Sequence, residues 1–287
     1  MSFAPRAAAA IAFGICLAAA APVQAACLSD VDAALLVARY MERKPAPNPE
    51  GLNAADGECT RAKVNRFLEQ QLGRPVGYKA GLTNPAVQKR FNHDSPVWGV
   101  LYAPMLLKDG ASVEPTFGAR PLFEADMLVR VSDAKINRAR TPADVLNAID
   151  QVIPFIELPD LLVEAPGKLN GAAINAINVG ARLGVTGKPI AVQRTAAFSD
   201  ALRDMQVVVT GGGTELDRGK GADVLGHPLN AVVWLVQDIA RDGRALKTGD
   251  LVSLGSFSKL MPPKSGLAVQ VRYEGLPGNP SVGMSFK

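Results

Sequence analysis

Two carboxylates, Glu124 and Asp126, stand two residues apart at the start of the apolar stretch PLFEADMLVRV. Side chains alternate between the faces of a β-strand, so both would point to the same side of a sheet. A third carboxylate, Glu157, lies inside the apolar stretch VIPFIELPD, where an unpaired charge is costly to bury. Three carboxylates completed by water suit Mg²⁺ or Mn²⁺, which prefer oxygen ligands. The alternative is a solvated strand face, with Glu157 paired to an arginine.

The elements that must position these side chains begin with two helices. Apolar residues recur at helical spacing from Ser29 to Arg43, and a second helix is predicted over Cys59 to Leu72. The proline-broken connection KPAPNPEG separates them. We therefore expect a helical N-terminal region over residues 26–72 and a catalytic domain over residues 73–287.

Strand and turn patterns dominate the catalytic domain. PVGYKAGLT, VWGVLYAPML, TGDLVSLGS and LAVQVRYEGL are predicted strands, and QVVVTGGGTELDRG predicts a hairpin with glycines at its turn. A helix is predicted from Pro142 to Val152, followed by a strand that carries Glu157. In HPLNAVVWLVQDIARDG, Pro228 suits the first turn of a helix and Gly243 its end. Helices and strands without regular alternation predict an α+β fold.

The first 25 residues have the features of a secretory signal. A single charge at Arg6 precedes an alanine-rich apolar core, and small residues lead to a predicted cleavage after Ala25. We therefore expect a periplasmic or secreted protein. The alternative is a lipoprotein acylated at Cys27, against which stands Gln24, where a lipobox has an aliphatic residue.

Cysteine usage agrees with export. Cys16 would leave with the signal, which leaves Cys27 and Cys59 as a pair. An even pair in an oxidising compartment indicates a disulfide, which would add about 3 kcal/mol of stability in the chain-entropy description. Two separate buried thiols are the alternative.

Composition narrows the range of partners. The chain has 287 residues, of which 48% are apolar, and its formal net charge is +4. The basic residues are dispersed and no nucleic-acid-binding motif is present, so we expect no nucleic-acid partner, and no membrane contact after signal cleavage. A small-molecule substrate remains the expected partner.

Six sequence blocks occur in one order: GYKAGLTNPAVQKRF, WGVLYAPM, FEADMLVRV, IELPD, GADVLGHPLNAVVWL and TGDLVSLGS. Together they resemble the 2-keto-4-pentenoate hydratase / 4-oxalocrotonate decarboxylase group of the fumarylacetoacetate hydrolase superfamily. The resemblance implies a mixed β-sheet roll or sandwich with flanking helices, in a homo-oligomer. It also implies that Glu124, Asp126 and Glu157 hold Mg²⁺ or Mn²⁺, with Asp126 in place of a glutamate.

The chemistry that this resemblance implies starts from a 2-oxo acid bound to the metal, which stabilises an enolate. Lys79 matches a lysine with an acid/base role, and Thr83 could hydrogen-bond the substrate carboxylate. Ser256 and Lys259 belong to a loop beside the substrate, where Lys259 could contact a carboxylate. Hydration of a 2-hydroxydienoate is the expected reaction, and decarboxylation of a 2-oxo diacid is the alternative.

The chain departs from the family pattern in two places. Val97 replaces an aspartate that partners the lysine, and the block Asn175-Ala176-Ile177-Asn178 replaces D-N-A-S. The residues expected to bind the metal are therefore retained, whereas the residues expected to activate water are altered. A secreted oxo-acid-binding protein without turnover is therefore a further hypothesis. Hydrolysis of an acylpyruvate would need a general base that we do not identify, since His227 is predicted to cap a helix and His93 to lie in a loop.

Overall fold

The computed structural model describes residue 1 and residues 27–287, so the predicted signal peptide, Met1 apart, and Cys16 lie outside the described residues. The α-helices of this part of the chain are α1 Asp30–Glu42, α2 Ala54–Leu72, α3 Pro85–Arg90, α4 Pro142–Ala148, α5 Gly171–Ala176, α6 Ala196–Asp204 and α7 Asn230–Arg241. No helix in the described part is long and apolar enough to cross a membrane.

Two mixed sheets organise the strands and confirm the predicted α+β fold. The strands are β1 Pro75–Gly81, β2 Val97–Tyr102, β3 Leu106–Lys108, β4 Ala111–Val113, β5 Glu124–Val131, β6 Ile149–Leu158, β7 Leu183–Thr186, β8 Ile190–Ala191, β9 Gln206–Gly211, β10 Thr214–Lys220, β11 Leu251–Ser253, β12 Ala268–Glu274 and β13 Ser281–Phe286. The larger sheet has the order β2-β1-β11-β5-β6-β7-β3, with β8 beside β6, and the smaller has the order β10-β9-β12-β13-β4.

The antiparallel pair β5 and β6 lies at the centre of the molecule. Met127, Leu128 and Val129 of β5 are fully buried, which explains why the middle of this strand is apolar. The smaller sheet packs over the pair through Tyr273, whose hydroxyl accepts a hydrogen bond from the Phe155 backbone N–H at 3.1 Å. One face of the pair is therefore core, and the other is available for a site.

Several helix boundaries differ from the predictions. The second helix begins at Ala54 because Asn53 and Asp56 form a reciprocal capping box, so the predicted start at Cys59 was wrong. The helix from Pro142 ends at Ala148 rather than Val152, because β6 begins at Ile149 and pairs with β5. The predicted hairpin from Gln206 is confirmed as β9 and β10.

The N-terminal helices pack into the same core as the sheet. The predicted disulfide between Cys27 and Cys59 is present, with its Cα atoms 5.6 Å apart. Arg61 of α2 is buried with its guanidinium 3.4 Å from the centroid of the Trp98 ring. It also donates to Asn175 of α5 at 2.7 Å, so Arg61 joins α2 to both β2 and α5.

Candidate active site

Strand register brings four charged side chains to one face of the larger sheet. Glu124 of β5 lies directly opposite Glu157 of β6, and Asp126 follows two residues later on the same face. Lys79 of β1 lies in register with Ser253 of β11, which in turn pairs with Leu128, another residue on this face of β5. The predicted carboxylates and the predicted acid/base lysine therefore lie on the same face of the sheet, with β11 as the one strand between β1 and β5.

Lys79 is buried and held by two acceptors. Its Nζ donates to Glu157 Oε1 and to the Val179 carbonyl oxygen, the latter at 2.9 Å. Lys79 and Glu157 are both only 3% exposed. An ammonium has three N–H donors, and no residue of the described chain accepts the third. That N–H is free for a ligand in the cavity that Lys79 lines.

The carbonyl of Val179 is presented by a strained turn that the sequence did not reveal. Asn178, Val179 and Gly180 have consecutive positive φ values of 55°, 53° and 64°. This conformation is costly for a β-branched residue such as Val179. The Asn178 side chain holds the turn, because it accepts from the Val100 N–H at 2.7 Å and donates to the Val100 carbonyl at 3.0 Å. Asn178 therefore has a structural role where the family has a serine.

Asp126 lies deeper than the two glutamates. It is fully buried and is not part of the cavity lining. Its Oδ1 accepts from the backbone N–H groups of Met127 and Gly255, and its Oδ2 accepts from the Ser253 hydroxyl. Gly255 has a φ of 98° and packs so closely that a Cβ there would lie 2.1 Å from the Thr83 hydroxyl oxygen. Asp126 thus fixes the start of the loop that carries Ser256 and Lys259.

The carboxylates carry more negative charge than the site neutralises. Burial and the negative charge of Glu157 raise the pKa of Glu124 well above its usual range. The same two causes raise the pKa of Asp126 to about 7, against the opposing hydrogen bonds from Ser253 and Met127. Lys79 compensates only one of the three carboxylates when all are ionised. The charge balance and the donor chemistry therefore fit one divalent cation.

The three carboxylates do not form a closed metal-binding cluster in the described residues. The reason is visible in the contacts, because Glu157 turns to the Lys79 ammonium and Asp126 is occupied by hydrogen-bond donors. Glu124 and Glu157 line the cavity, whereas Asp126 lies beneath it.

A cavity of about 150 Å³ lies over this face. The predicted substrate-contacting residues Thr83, Ser256 and Lys259 all line it, together with Arg90, which the sequence analysis did not single out. Its walls are largely apolar and include Leu82, Val87, Phe91, Leu161, Ile174 and Leu260. Among the described residues that line the cavity, the carboxylates are Glu124 and Glu157, and the amines are Lys79, which is buried, and Lys259, which is exposed.

Two other residues that the sequence analysis discussed lie outside the cavity lining. Val97 is buried in β2, opposite Gly81. His227 lies in the turn before α7, where its Nδ1 accepts from the Leu229 N–H at 3.1 Å. Helix α7 has Leu229 as its N-cap and no side-chain capping bond, so the predicted cap by His227 was wrong. Burial lowers the pKa of His227, which favours the neutral ring that can accept this bond.

Comparison with known proteins supports the resemblance. No family model matches the chain. The chain is 33% identical over 257 residues to 2-keto-4-pentenoate hydratase 2 of Dechloromonas aromatica (strain RCB), covering 87% of this chain and 94% of the relative. It is 29% identical over 223 residues to a 4-oxalocrotonate decarboxylase of Pseudomonas putida, covering 77% and 82% of the two chains.

Solved structures give the same result. A 4-oxalocrotonate decarboxylase from Pseudomonas putida G7, complexed with magnesium and adipate, superposes with a TM-score of 0.79 at 26% identity, over 90% of this chain and 97% of that one. A fumarylpyruvate hydrolase from Pseudomonas aeruginosa shares the fold at a TM-score of 0.54 and 14% identity, over 75% and 90% of the two chains. The chain belongs to the 2-keto-4-pentenoate hydratase / 4-oxalocrotonate decarboxylase group of the fumarylacetoacetate hydrolase superfamily.

Proposed function

We propose that this protein is a divalent-metal-dependent lyase that adds water to a small 2-hydroxydienoic acid. The observation that carries the proposal is the convergence of three carboxylates and Lys79 on one sheet face beneath a cavity of about 150 Å³. The relatives named hydratase, and the neighbour complexed with magnesium and adipate, support the same chemistry.

Glu124, Asp126 and Glu157 would hold the cation, either Mg²⁺ or Mn²⁺. When bound, the ion supplies the positive charge that these carboxylates lack and polarises the oxygens of a 2-oxo acid. The hydrogen bonds from Ser253 and Gly255 fix the position of the Asp126 carboxylate beneath the cavity.

Lys79 is the residue that moves a proton. Its ammonium is held by Glu157 and by the Val179 carbonyl, and its third N–H would donate a proton to a carbon of the substrate bound in the cavity that Lys79 lines. The Thr83 and Ser256 hydroxyls line the same cavity and can hydrogen-bond the substrate carboxylate. The apolar walls exclude bulk water, which strengthens these interactions.

Decarboxylation of a 2-oxo diacid is a second candidate, and one observation favours it. Val97 cannot activate water, and the carboxylates of the described cavity lining are the two proposed metal ligands Glu124 and Glu157. Loss of CO₂ from an activated oxo acid requires no attacking water, whereas hydration does. The choice between the two reactions therefore depends on whether Lys79 and Glu157 can direct a water molecule.

The proposed location is the periplasm or the exterior of the cell. The signal-like N-terminus and the Cys27–Cys59 bond both support export, since structural disulfides persist in oxidising compartments. A homo-oligomer stays a prediction from the family resemblance.

Turnover assays test the proposed function. With Mg²⁺, the purified protein is expected to consume 2-hydroxypenta-2,4-dienoate, followed by the loss of its ultraviolet absorbance, and EDTA should stop the reaction. A 2-oxo-3-hexenedioate assay with CO₂ detection measures the second candidate. Turnover that persists in EDTA would contradict the metal-dependent mechanism. Oxalate binding without turnover of either substrate would identify the protein as a secreted oxo-acid binder.

We expect Mg²⁺ to stabilise the fold more at pH 8 than at pH 5. The pKa of Asp126 is raised from 3.8 to about 7, so the metal-free fold is favoured at low pH and loses stability as the pH rises from the lower of these values to the higher. Mg²⁺ replaces the protons that these carboxyl groups release. At 100 times its Kd the ion should raise Tm at pH 8 by about 5 to 10 °C. Calorimetry with Mg²⁺ and with K⁺ at equal ionic strength measures this, and equal Mg²⁺ shifts at both pH values would contradict it.

A further inference from the structure

A buried side-chain network joins helix α2 to the turn that presents the Val179 carbonyl. Asn65 of α2 donates through Nδ2 to the backbone carbonyl of Arg61 at 2.9 Å and to Asn178 Oδ1 at 3.0 Å. Its Oδ1 accepts from the Tyr102 hydroxyl at 3.0 Å. A carbonyl oxygen can only accept, so the bond to Arg61 identifies which end of the Asn65 amide is the nitrogen. The donor end of Asn65 therefore faces Asn178.

The Asn178 amide oxygen uses both of its lone pairs in this network. One hydrogen bond comes from the Val100 N–H at 2.7 Å, and the other comes from Asn65. Asn65 and Asn178 are only 6% and 1% exposed, so bulk water does not replace either bond. Among the described residues, Asn65 is the only one whose side chain hydrogen-bonds the Asn178 side chain. Removal of Asn65 would thus leave a buried acceptor without its second donor.

The turn packs directly on the backbone of β1 and β2. A Cβ at Gly99 of β2 would lie 2.5 Å from the Asn178 carbonyl oxygen, and one at Gly81 of β1 would lie 2.4 Å from Val179 Cγ1. Left-handed residues other than glycine are strained and persist only where their surroundings hold them. The two strands hold the turn by packing and through Val100, and helix α2 holds it through Asn65.

We propose that Asn65 is a positioning residue for Lys79. It acts through Asn178, which keeps the Val179 carbonyl at the Lys79 ammonium. The inference rests on the proposed function, in which Lys79 moves a proton. Asn65 does not line the cavity, so it does not touch a ligand there. A shift of the Val179 carbonyl would leave Glu157 as the one acceptor of the ammonium, and the N–H directed at the substrate would lose its fixed direction.

Steady-state kinetics of two variants tests the proposal. Asn65→Leu removes the polar atoms of the side chain and keeps its approximate volume. We expect kcat to fall about tenfold and KM to stay within about twofold, on the substrate of the turnover assays that the wild type consumes. Val64→Ala is the matched control, because Val64 is a buried residue of α2 whose side chain cannot form a hydrogen bond. It should lower Tm, as Asn65→Leu does, and leave kcat unchanged.

A double variant tests whether Asn65 acts through Asn178. Asn178→Gly keeps the left-handed backbone, which glycine adopts readily, and removes the amide that accepts from Asn65. This variant should lower kcat by itself, and Asn65→Leu should lower it no further in that background. A second tenfold loss would show that Asn65 acts by another route and would overturn the proposed connection.

The NMR signal of Lys79 provides a readout that requires neither metal nor turnover. In metal-free protein labelled with ¹³C at the lysine Cε atoms, the Lys79 signal is the one that is absent from Lys79→Met. Asn65→Leu should shift this signal because the surroundings of the ammonium change, and Val64→Ala should leave it in place.

The outcomes separate the positioning role from the proposed function. A Lys79 signal that Asn65→Leu leaves in place, or a kcat equal to that of the wild type, would overturn the positioning role. Equal losses of kcat in Asn65→Leu and Val64→Ala would show a general effect of helix packing and would also overturn it. If the wild type consumes neither substrate, the proposed function fails, whereas a shifted Lys79 signal would still support the link from Asn65.

Discussion

Glu124→Gln is expected to lower turnover by about 10³-fold or more while it leaves the fold intact. The variant replaces one oxygen of the central carboxylate pair with an amide nitrogen and so removes a negatively charged ligand from the proposed cation. Loss of several kcal/mol of charge stabilisation in the transition state corresponds to about this factor, at roughly 1.4 kcal/mol for each power of ten.

The same substitution has an opposite effect on stability. The pKa of Glu124 is raised because the group is buried beside Glu157, so its ionised form destabilises the metal-free fold. Glu124→Gln removes that charge, and the metal-free variant should therefore melt at a higher temperature than the wild type at pH 8. Turnover, Mg²⁺ calorimetry and thermal unfolding measure the three effects.

Glu164→Gln is the control for Glu124→Gln, because Glu164 is an exposed carboxylate outside the cavity lining. It should change none of the three quantities. Wild-type turnover and Mg²⁺ affinity in Glu124→Gln would show that this carboxylate is no part of a metal site.

Lys79→Met is expected to lower kcat by about 10² to 10⁴, the usual contribution of a positioned acid/base group. Methionine keeps the volume of the side chain but has no N–H for the substrate. Binding of Mg²⁺ and oxalate should persist, because all three carboxylates remain. A large fall in kcat with retained oxalate affinity would separate proton transfer from metal binding.

Stability gives an independent readout of Lys79→Met. The substitution leaves Glu157 buried without its ammonium partner, which destabilises the metal-free fold by about 3 to 5 kcal/mol. Saturating Mg²⁺ should recover most of this loss. Lys89→Met is the control on an exposed site and should affect neither rate nor stability. A kcat within threefold of the wild type would reduce Lys79 to a structural counter-ion.

The two variants are expected to change the stability of the metal-free protein in opposite directions, because Glu124→Gln removes a negative charge from the carboxylate cluster and Lys79→Met removes the ammonium that pairs with Glu157. Measured together, they test the charge balance of the site as well as its individual residues.

The strand face of the site was predictable from the sequence, but its assembly was not. The two-residue spacing of Glu124 and Asp126 is a local property of β5, so the alternation of side chains predicts their common face. The position of Glu157 opposite Glu124 depends on the pairing of β5 with β6, which local spacing does not determine. Lys79 was predicted as a site residue only from the family resemblance. Local sequence could not place it there, because β11 lies between β1 and β5 in the sheet.

Two other features were not predicted: the turn at Val179, which has no sequence pattern, and the start of α2, whose capping residues are visible in the sequence. A left-handed valine has no sequence signature, so the Val179 carbonyl that orients Lys79 could not be anticipated. The capping box of Asn53 and Asp56 was readable, but Gly57 obscured the helix that follows it. That glycine is required by packing, because a Cβ there would lie 2.5 Å from the Ala172 carbonyl oxygen of α5.

The ion pair between Lys79 and Glu157 allows folding and metal binding to occur as separate steps. A buried cluster of three ionised carboxylates with no positive charge would resist closure of the sheet until a cation arrived. Because the ammonium is built into β1, part of that charge is compensated as soon as β1 joins the sheet through β11. Under the proposed function, the chain can therefore fold before it binds its ion.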